Sequence, residues 1–215
     1  KKRRAYAAMV SAMDDAVGKV VQAIGNAGVA ENTLIFFLSD NGGPAGNAST
    51  NRPLRGTKRT LYEGGIRVPF VINWPGRAPQ GRTLTDPVIS LDIFPTALAA
   101  AGAPLPKGVK LDGVNLLPYV EGRSTTPPHG ALFWRTFGGA NFAVREGRYK
   151  LVRNAKNAPE LYDLDSDIGE AHDLSSKDPK TVARLDAALK KWNSELMKPL
   201  WPDHIFDAPS GKTSH

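Results

Sequence analysis

Residues 34–43 read Leu34-Ile35-Phe36-Phe37-Leu38-Ser39-Asp40-Asn41-Gly42-Gly43, an uninterrupted apolar run that stops at a serine, an acid, an amide and two glycines. A short run with apolar side chains on both faces predicts an interior strand of a parallel sheet, covered on both sides. In open α/β sheets ligands bind beyond the carboxyl ends of the strands, which is where Asp40 and Asn41 fall. A carboxylate and an amide oxygen are hard donors suited to Ca2+ or Mg2+, although Ca2+ takes roughly six to eight oxygens. Asp-Asn-Gly is equally good turn chemistry, so this stretch alone leaves a metal site and a plain turn both open.

Upstream, Tyr6, Met9, Val10, Met13, Val17, Val20, Val21 and Ile24 recur at three- and four-residue steps, the pattern of an amphipathic helix that Gly25 and Gly28 end. Downstream, Val68-Pro69-Phe70-Val71-Ile72-Asn73-Trp74 is a second strand-like run, with Pro69 restricted to its start because proline donates no ladder hydrogen bond. A helix is expected over about 90–101, closed by Gly102 and Pro104. Residues 103–129 are punctuated by proline and glycine, and strand-like pieces follow at 131–135, 141–145, 149–153 and 160–163. Glu146-Gly147-Arg148 suits a hairpin turn between the middle two. The last helix has Asp178 as cap, Pro179 in its first turn, and Val182, Leu185, Leu189, Trp192 and Leu196 on one stripe. The expected division is an α/β part over 1–129, a small antiparallel sheet with a terminal helix over 130–200, and a tail over 201–215. Two apolar runs make an unfinished sheet, which would leave Phe36 and Phe37 uncovered.

The chain has 215 residues and a formal charge of +7, of which four positive charges are Lys1-Lys2-Arg3-Arg4. No apolar stretch is long enough to span a bilayer, and the basic start runs into an amphipathic pattern, so neither a membrane protein nor a secretory signal is read here. With no cysteine there is no disulfide, thiolate metal site or cysteine nucleophile.

Between the two strands, Arg52, Arg55, Lys58, Arg59 and Arg67 crowd a glycine-bearing loop. Such a loop suits an anionic tetrahedral group, with lysine as a point charge and arginine as a bidentate fork. It lacks the spacing of a phosphate-binding Walker loop. A solvated basic loop with Glu63 as local counter-ion explains the same residues.

Taken in order, Leu38-Ser39-Asp40-Asn41-Gly42-Gly43, Leu54-Arg55-Gly56-Thr57-Lys58 and Tyr62-Glu63-Gly64-Gly65-Ile66-Arg67-Val68-Pro69 closely resemble the C-terminal half of the type I, formylglycine-dependent sulfatases. The resemblance continues through Trp74-Pro75-Gly76, Ser90-Leu91-Asp92-Ile93-Phe94-Pro95-Thr96, Leu111-Asp112-Gly113-Val114, Tyr149-Lys150-Leu151 and Glu160-Leu161-Tyr162-Asp163-Leu164. It departs from the family at one place: the family's lysine is usually flanked by glycines, and here Thr57 and Arg59 flank it.

This resemblance implies an alkaline-phosphatase-like α/β fold and a sulfuric-ester hydrolase acting on a sulfated carbohydrate or aryl sulfate. It implies that Asp40 and Asn41 ligate Ca2+, that Lys58 is catalytic and holds the sulfate, and that Arg55 assists in binding substrate. It also implies a periplasmic or secreted setting, and partners that are neither nucleic acid nor membrane. The family's nucleophile is a formylglycine made from the first residue of a Cys/Ser-x-Pro-x-Arg motif. This chain contains no such motif; Thr125-Thr126-Pro127-Pro128-His129 lacks both the first residue and the arginine. The expectation is therefore a C-terminal half that is inactive alone. His129, His172, His204 and His215 show no metal spacing and read as satisfied or solvated. Two alternatives remain at this point: a phosphate or phosphonate ester hydrolase of the same superfamily, and a non-catalytic polyanion binder driven by net charge. Against the latter, the basic residues are not interleaved with aromatics.

Overall fold

The computed structural model describes residues 1–136, 138–155 and 157–200. The tail expected over 201–215 lies outside them. The chain forms two compact units, one of Lys1–Asp40 with Val68–Gly130, the other of Asn41–Arg67 with the residues from Ala131 onward.

In the first unit, helix α1 (Lys2–Asn26) follows the predicted stripe, yet none of its residues is buried and Met9 is 71% exposed. Strands β1 (Ile35–Leu38) and β2 (Phe70–Asn73) form a two-stranded sheet, with Pro69 immediately before β2 as expected. The parallel arrangement expected for these runs is corrected: they pair antiparallel, from Ile35 opposite Asn73 to Leu38 opposite Phe70. A parallel partner needs a crossover of about a dozen residues, usually a helix laid on the sheet. Residues 39–69 hold only the four-residue helix α2 (Glu63–Ile66). Nor are both faces covered: Phe37 and Val71 are 39% and 51% exposed, while Phe36 is half-buried edge-to-face on Phe70 at 6.2 Å. Trp74 is buried and donates from Nε1 to the Glu31 carbonyl at 2.9 Å. A single 3-10 turn, Ser90–Asp92, leads into α3 (Ile93–Ala100), and α4 (Leu117–Val120) completes the unit.

The second unit holds α2 and a four-stranded antiparallel sheet in simple order, β3 (Leu132–Arg135), β4 (Phe142–Glu146), β5 (Tyr149–Arg153) and β6 (Glu160–Asp163). Gly147, at φ 56°, makes the β4–β5 turn. Helix α5 (Pro179–Ser194) starts as its sequence predicts, with Asp178 accepting the Thr181 N–H at 3.0 Å. The two-residue period of the strands divides their side chains between two cores. Val144, Leu151 and Leu161 meet Leu185 and Leu189 of α5, and the half-buried Trp192 stacks on Phe133 at 5.2 Å. Ala143, Val152 and Tyr162 face the other way, onto Leu61, Tyr62 and Ile66. One face of the sheet is thus covered by a helix and the other by the basic loop. Among the described residues no helix is long and apolar enough to cross a membrane.

Candidate functional site

The basic loop is held in shape mainly by its own backbone. Gly42 N–H donates to the Gly65 carbonyl at 2.9 Å, Gly64 N–H to the Arg55 carbonyl at 2.6 Å, and Lys58 N–H to the Gly43 carbonyl at 3.2 Å. These approaches require glycine. A β-carbon on Gly42 would lie 1.8 Å from the Gly64 oxygen, and one on Gly65 would lie 2.1 Å from the Thr60 oxygen. Asn51 adds a side-chain clasp, accepting Gly43 N–H at 2.9 Å and donating to the carbonyls of Gly43 and Gly56 at 3.0 and 3.1 Å. Lys58 and Arg59 form the outer corner of a turn that the Thr60 N–H closes onto the Thr57 carbonyl at 2.9 Å. Both are exposed, and Arg59 has φ 77°.

The sheet fixes this loop from beneath. Lys150, fully buried on the face shared with Val152, places Nζ 2.8 Å from Glu63 Oε1 and 2.9 Å from Glu170 Oε1. Glu170 also accepts the Glu63 N–H at 2.6 Å, joining the first turn of α2 to the segment after β6. Burial pushes the Glu170 carboxyl up, opposed by the Lys150 charge. Arg67 and Arg145 stand 3.6 and 3.9 Å from Glu63 Oε2. Arg55 donates to the Tyr162 hydroxyl at 2.6 Å and to the Glu170 carbonyl at 2.9 Å, and its guanidinium lies 4.0 Å over the Tyr62 ring. Both tyrosine hydroxyls donate to Glu160 Oε2, at 2.6 and 2.7 Å. Burial, then the hydrogen bond to Glu160, pushes the Tyr162 phenol up.

Of the residues singled out from sequence, Asn41 and Lys58 share the second unit, linked through the Gly43 carbonyl. Asp40 closes the β1 stretch in the first unit and is exposed. Arg55 is engaged with the sheet, and Arg67 with Glu63. Among the described residues no group of three or more histidines, cysteines, aspartates and glutamates could hold a metal ion. His129 is buried against Asp92, with Nε2 2.9 Å from both carboxylate oxygens. Asp92 also accepts the Ile89 and Val114 N–H groups at 2.8 Å, so the motifs at 90–96 and 111–114 are one structural hub. His172 is exposed, 3.5 Å from Asp167; His204 and His215 lie outside the described residues. Sequence reading missed Lys150 and Glu170 as supports of the loop. A signal was present in Lys150, a lysine on the same strand face as Val152, where an apolar residue is expected.

Comparison with known proteins agrees with this organisation. The sulfatase family model matches residues 1–103, and the model of the N-sulphoglucosamine sulphohydrolase C-terminal region matches residues 56–198. A sulfatase of Formosa agariphila is 36% identical over 87% of this chain and 38% of its own length. Human arylsulfatase A is 36% identical over 75% of this chain and 37% of its own length. The chain therefore spans well under half of these curated relatives. Among solved structures, Ps i-CgsB in complex with k-i-k-neocarrahexaose superposes with TM-score 0.85 at 33% identity, over 94% of this chain and 45% of that one. The phosphonate monoester hydrolase SpPMH from Silicibacter pomeroyi, at TM-score 0.65 and 23% identity, shares the fold.

Proposed function

The chain belongs to the sulfatase family and carries the C-terminal part of it, and from that premise we propose that it supplies the charge-stabilising half of a sulfate-ester hydrolase. The observation that supports this reading is the Lys58 turn, an exposed ammonium on a glycine-fixed backbone bonded directly to the Asn41-Gly42-Gly43 segment. In sulfuryl transfer charge gathers on the peripheral oxygens, and a preorganised ammonium facing them stabilises the transition state. We assign that role to Lys58. The bonds of Arg55 to Tyr162 and the Glu170 carbonyl favour holding the turn over gripping substrate directly.

Asp40 and Asn41 would hold the Ca2+ of the family. The residue types fit: a carboxylate and an amide offer hard oxygens, and the other ligands of an ion that takes roughly six to eight oxygens would come from outside this pair. When bound, the ion supplies further positive charge against the sulfate oxygens. The formylglycine supplies the covalent attack in this family, and nothing in this chain replaces it, since cysteine and the Ser-x-Pro-x-Arg motif are both missing. The reading therefore has this chain bind sulfate but not turn over sulfate esters by itself. A sulfated carbohydrate is the favoured substrate class over an aryl sulfate, supported by the k-i-k-neocarrahexaose held by Ps i-CgsB. A periplasmic or secreted setting suits such a substrate.

Titration of the chain with inorganic sulfate, with and without Ca2+, tests the assignment. Lys58→Ala is expected to weaken sulfate binding at least about tenfold while leaving thermal stability unchanged, because the side chain is exposed. Unchanged binding removes Lys58 from the site. Turnover of an aryl sulfate that persists through repurification overturns the claim that the chain is inactive alone.

A further inference from the structure

Glu170 carries two costs in one residue. Its side chain is fully buried, and its backbone holds φ 51°, in the left-handed region that glycine adopts freely and other residues seldom do. Neutralising Lys150 does not require it. Glu63 Oε1 already stands 2.8 Å from that ammonium, and a second buried carboxylate adds its own desolvation cost. What Glu170 adds is a grip on the basic loop. Its Oε2 accepts the Glu63 N–H at 2.6 Å, at the first residue of α2, and its carbonyl accepts from the Arg55 guanidinium at 2.9 Å. The turn that carries it also comes close, since a β-carbon on Gly169 would lie 3.2 Å from the Pro53 carbonyl oxygen. Both grips lead to Lys58. From α2, the Gly65 carbonyl accepts the Gly42 N–H, and the Gly43 carbonyl next to it accepts the Lys58 N–H. From Arg55, the chain runs through Gly56 and Thr57 directly into Lys58.

Resting on the reading of Lys58 as the sulfate-holding lysine, we infer that Glu170 is a positioning residue for it: the buried carboxylate fixes the start of α2 and, through α2, the turn that presents the ammonium to sulfate. A carboxylate suits this place because its two oxygens face two different donors, the Lys150 ammonium at 2.9 Å and the Glu63 N–H at 2.6 Å. An amide would turn its own NH2 toward one of them. Strained backbone of this kind recurs where a binding site must be held in one arrangement.

The test measures inorganic sulfate binding and Tm for the full chain at fixed ionic strength, at a temperature where circular dichroism shows each variant folded. Glu170→Ala and Glu170→Gly both remove the carboxylate, but only glycine relieves the left-handed φ. Glu170→Gly is therefore expected to keep the higher Tm, while both variants weaken sulfate binding equally, by about five- to tenfold, approaching the loss given by Lys58→Ala. In the Lys58→Ala background Glu170→Gly should cost no further affinity, the non-additivity of two residues that act as one unit. Glu170→Gln keeps the volume and carries the test where the smaller residues do not fold; it should lose at least about threefold in affinity. Sulfate affinity within about twofold of wild type in the folded variants makes Glu170 a support of the fold alone and overturns the inference. So does affinity that follows Tm, better in Glu170→Gly than in Glu170→Ala, or a full additional loss on top of Lys58→Ala. Lys58→Ala separates the two readings. If it weakens binding while the Glu170 variants do not, only the Glu170 inference fails; if it leaves binding unchanged, the Lys58 reading fails and the inference with it.

Discussion

Replacing Lys150 by methionine removes the one ammonium between two buried carboxylates. The side chains of Lys150 and Glu170 are fully buried and that of Glu63 is 3% exposed. Deleting one partner of a buried ion pair costs about 3–5 kcal/mol, because the remaining charge stays desolvated. Glu63 keeps partial compensation from Arg67 and Arg145, at 3.6 and 3.9 Å, whereas Glu170 loses its only ion-pair partner among those described. The lower end, about 3 kcal/mol, is therefore expected for Lys150→Met at neutral pH. Urea unfolding followed by tryptophan emission reads it, with Trp134 and Trp192 both in this unit.

The pH dependence of that loss gives a second check. Burial raises the Glu170 carboxyl, so the folded state binds its proton more tightly than the unfolded chain does. A raised carboxyl favours folding most below its unfolded pKa, and that contribution is lost as pH rises through the folded pKa. Without the lysine the carboxyl is raised further, so the deficit of Lys150→Met should be largest at pH 7–8 and shrink toward pH 5. A loss below about 1 kcal/mol at pH 7.5, or one that does not shrink on acidification, refutes the view that Lys150 neutralises this pair.

Two other substitutions probe the same unit. Gly42→Ala places a methyl 1.8 Å from the Gly64 oxygen, and a loss of more than about 3 kcal/mol is expected, with amide exchange of the 41–67 segment rising first in hydrogen–deuterium measurements. Asp178→Ala removes the cap on the Thr181 N–H and should lower stability by about 1 kcal/mol in thermal unfolding, without altering sulfate binding.

Local elements were legible where the signal was local. The cap at Asp178, the proline after it, the four short strands β3–β6 and the turn at Gly147 all follow from neighbouring residues, and each formed within a residue of where it was read. Strand direction was not legible, because the apolar run 34–38 records what surrounds a strand, not which way its partner travels; that depends on the connection. The absence of a crossover helix in 39–69 was the available clue. At the candidate site, the residue types of the 40–67 stretch suggest a chemistry, but the supports of its loop come from far along the chain. Lys150 reaches Glu63 across 87 positions, and Arg55 reaches Tyr162 across 107. No periodicity within either segment encodes those meetings. The exposed stripe of α1 shows the reverse case, a periodicity that correctly specifies a helix and says nothing of what lies against it.

The main-chain latching of the loop has an engineering consequence. Gly42 to Gly65, Gly64 to Arg55 and Lys58 to Gly43 are all bonds between peptide groups, so the exposed side chains of Arg52 and Lys58 decorate the scaffold without holding it up. Such a loop behaves as a socket with exchangeable contacts. A combinatorial library at Arg52 and Lys58, with the glycines and Asn51 untouched, can sample new charge patterns on an unchanged backbone, so selection acts on recognition and leaves foldability largely aside.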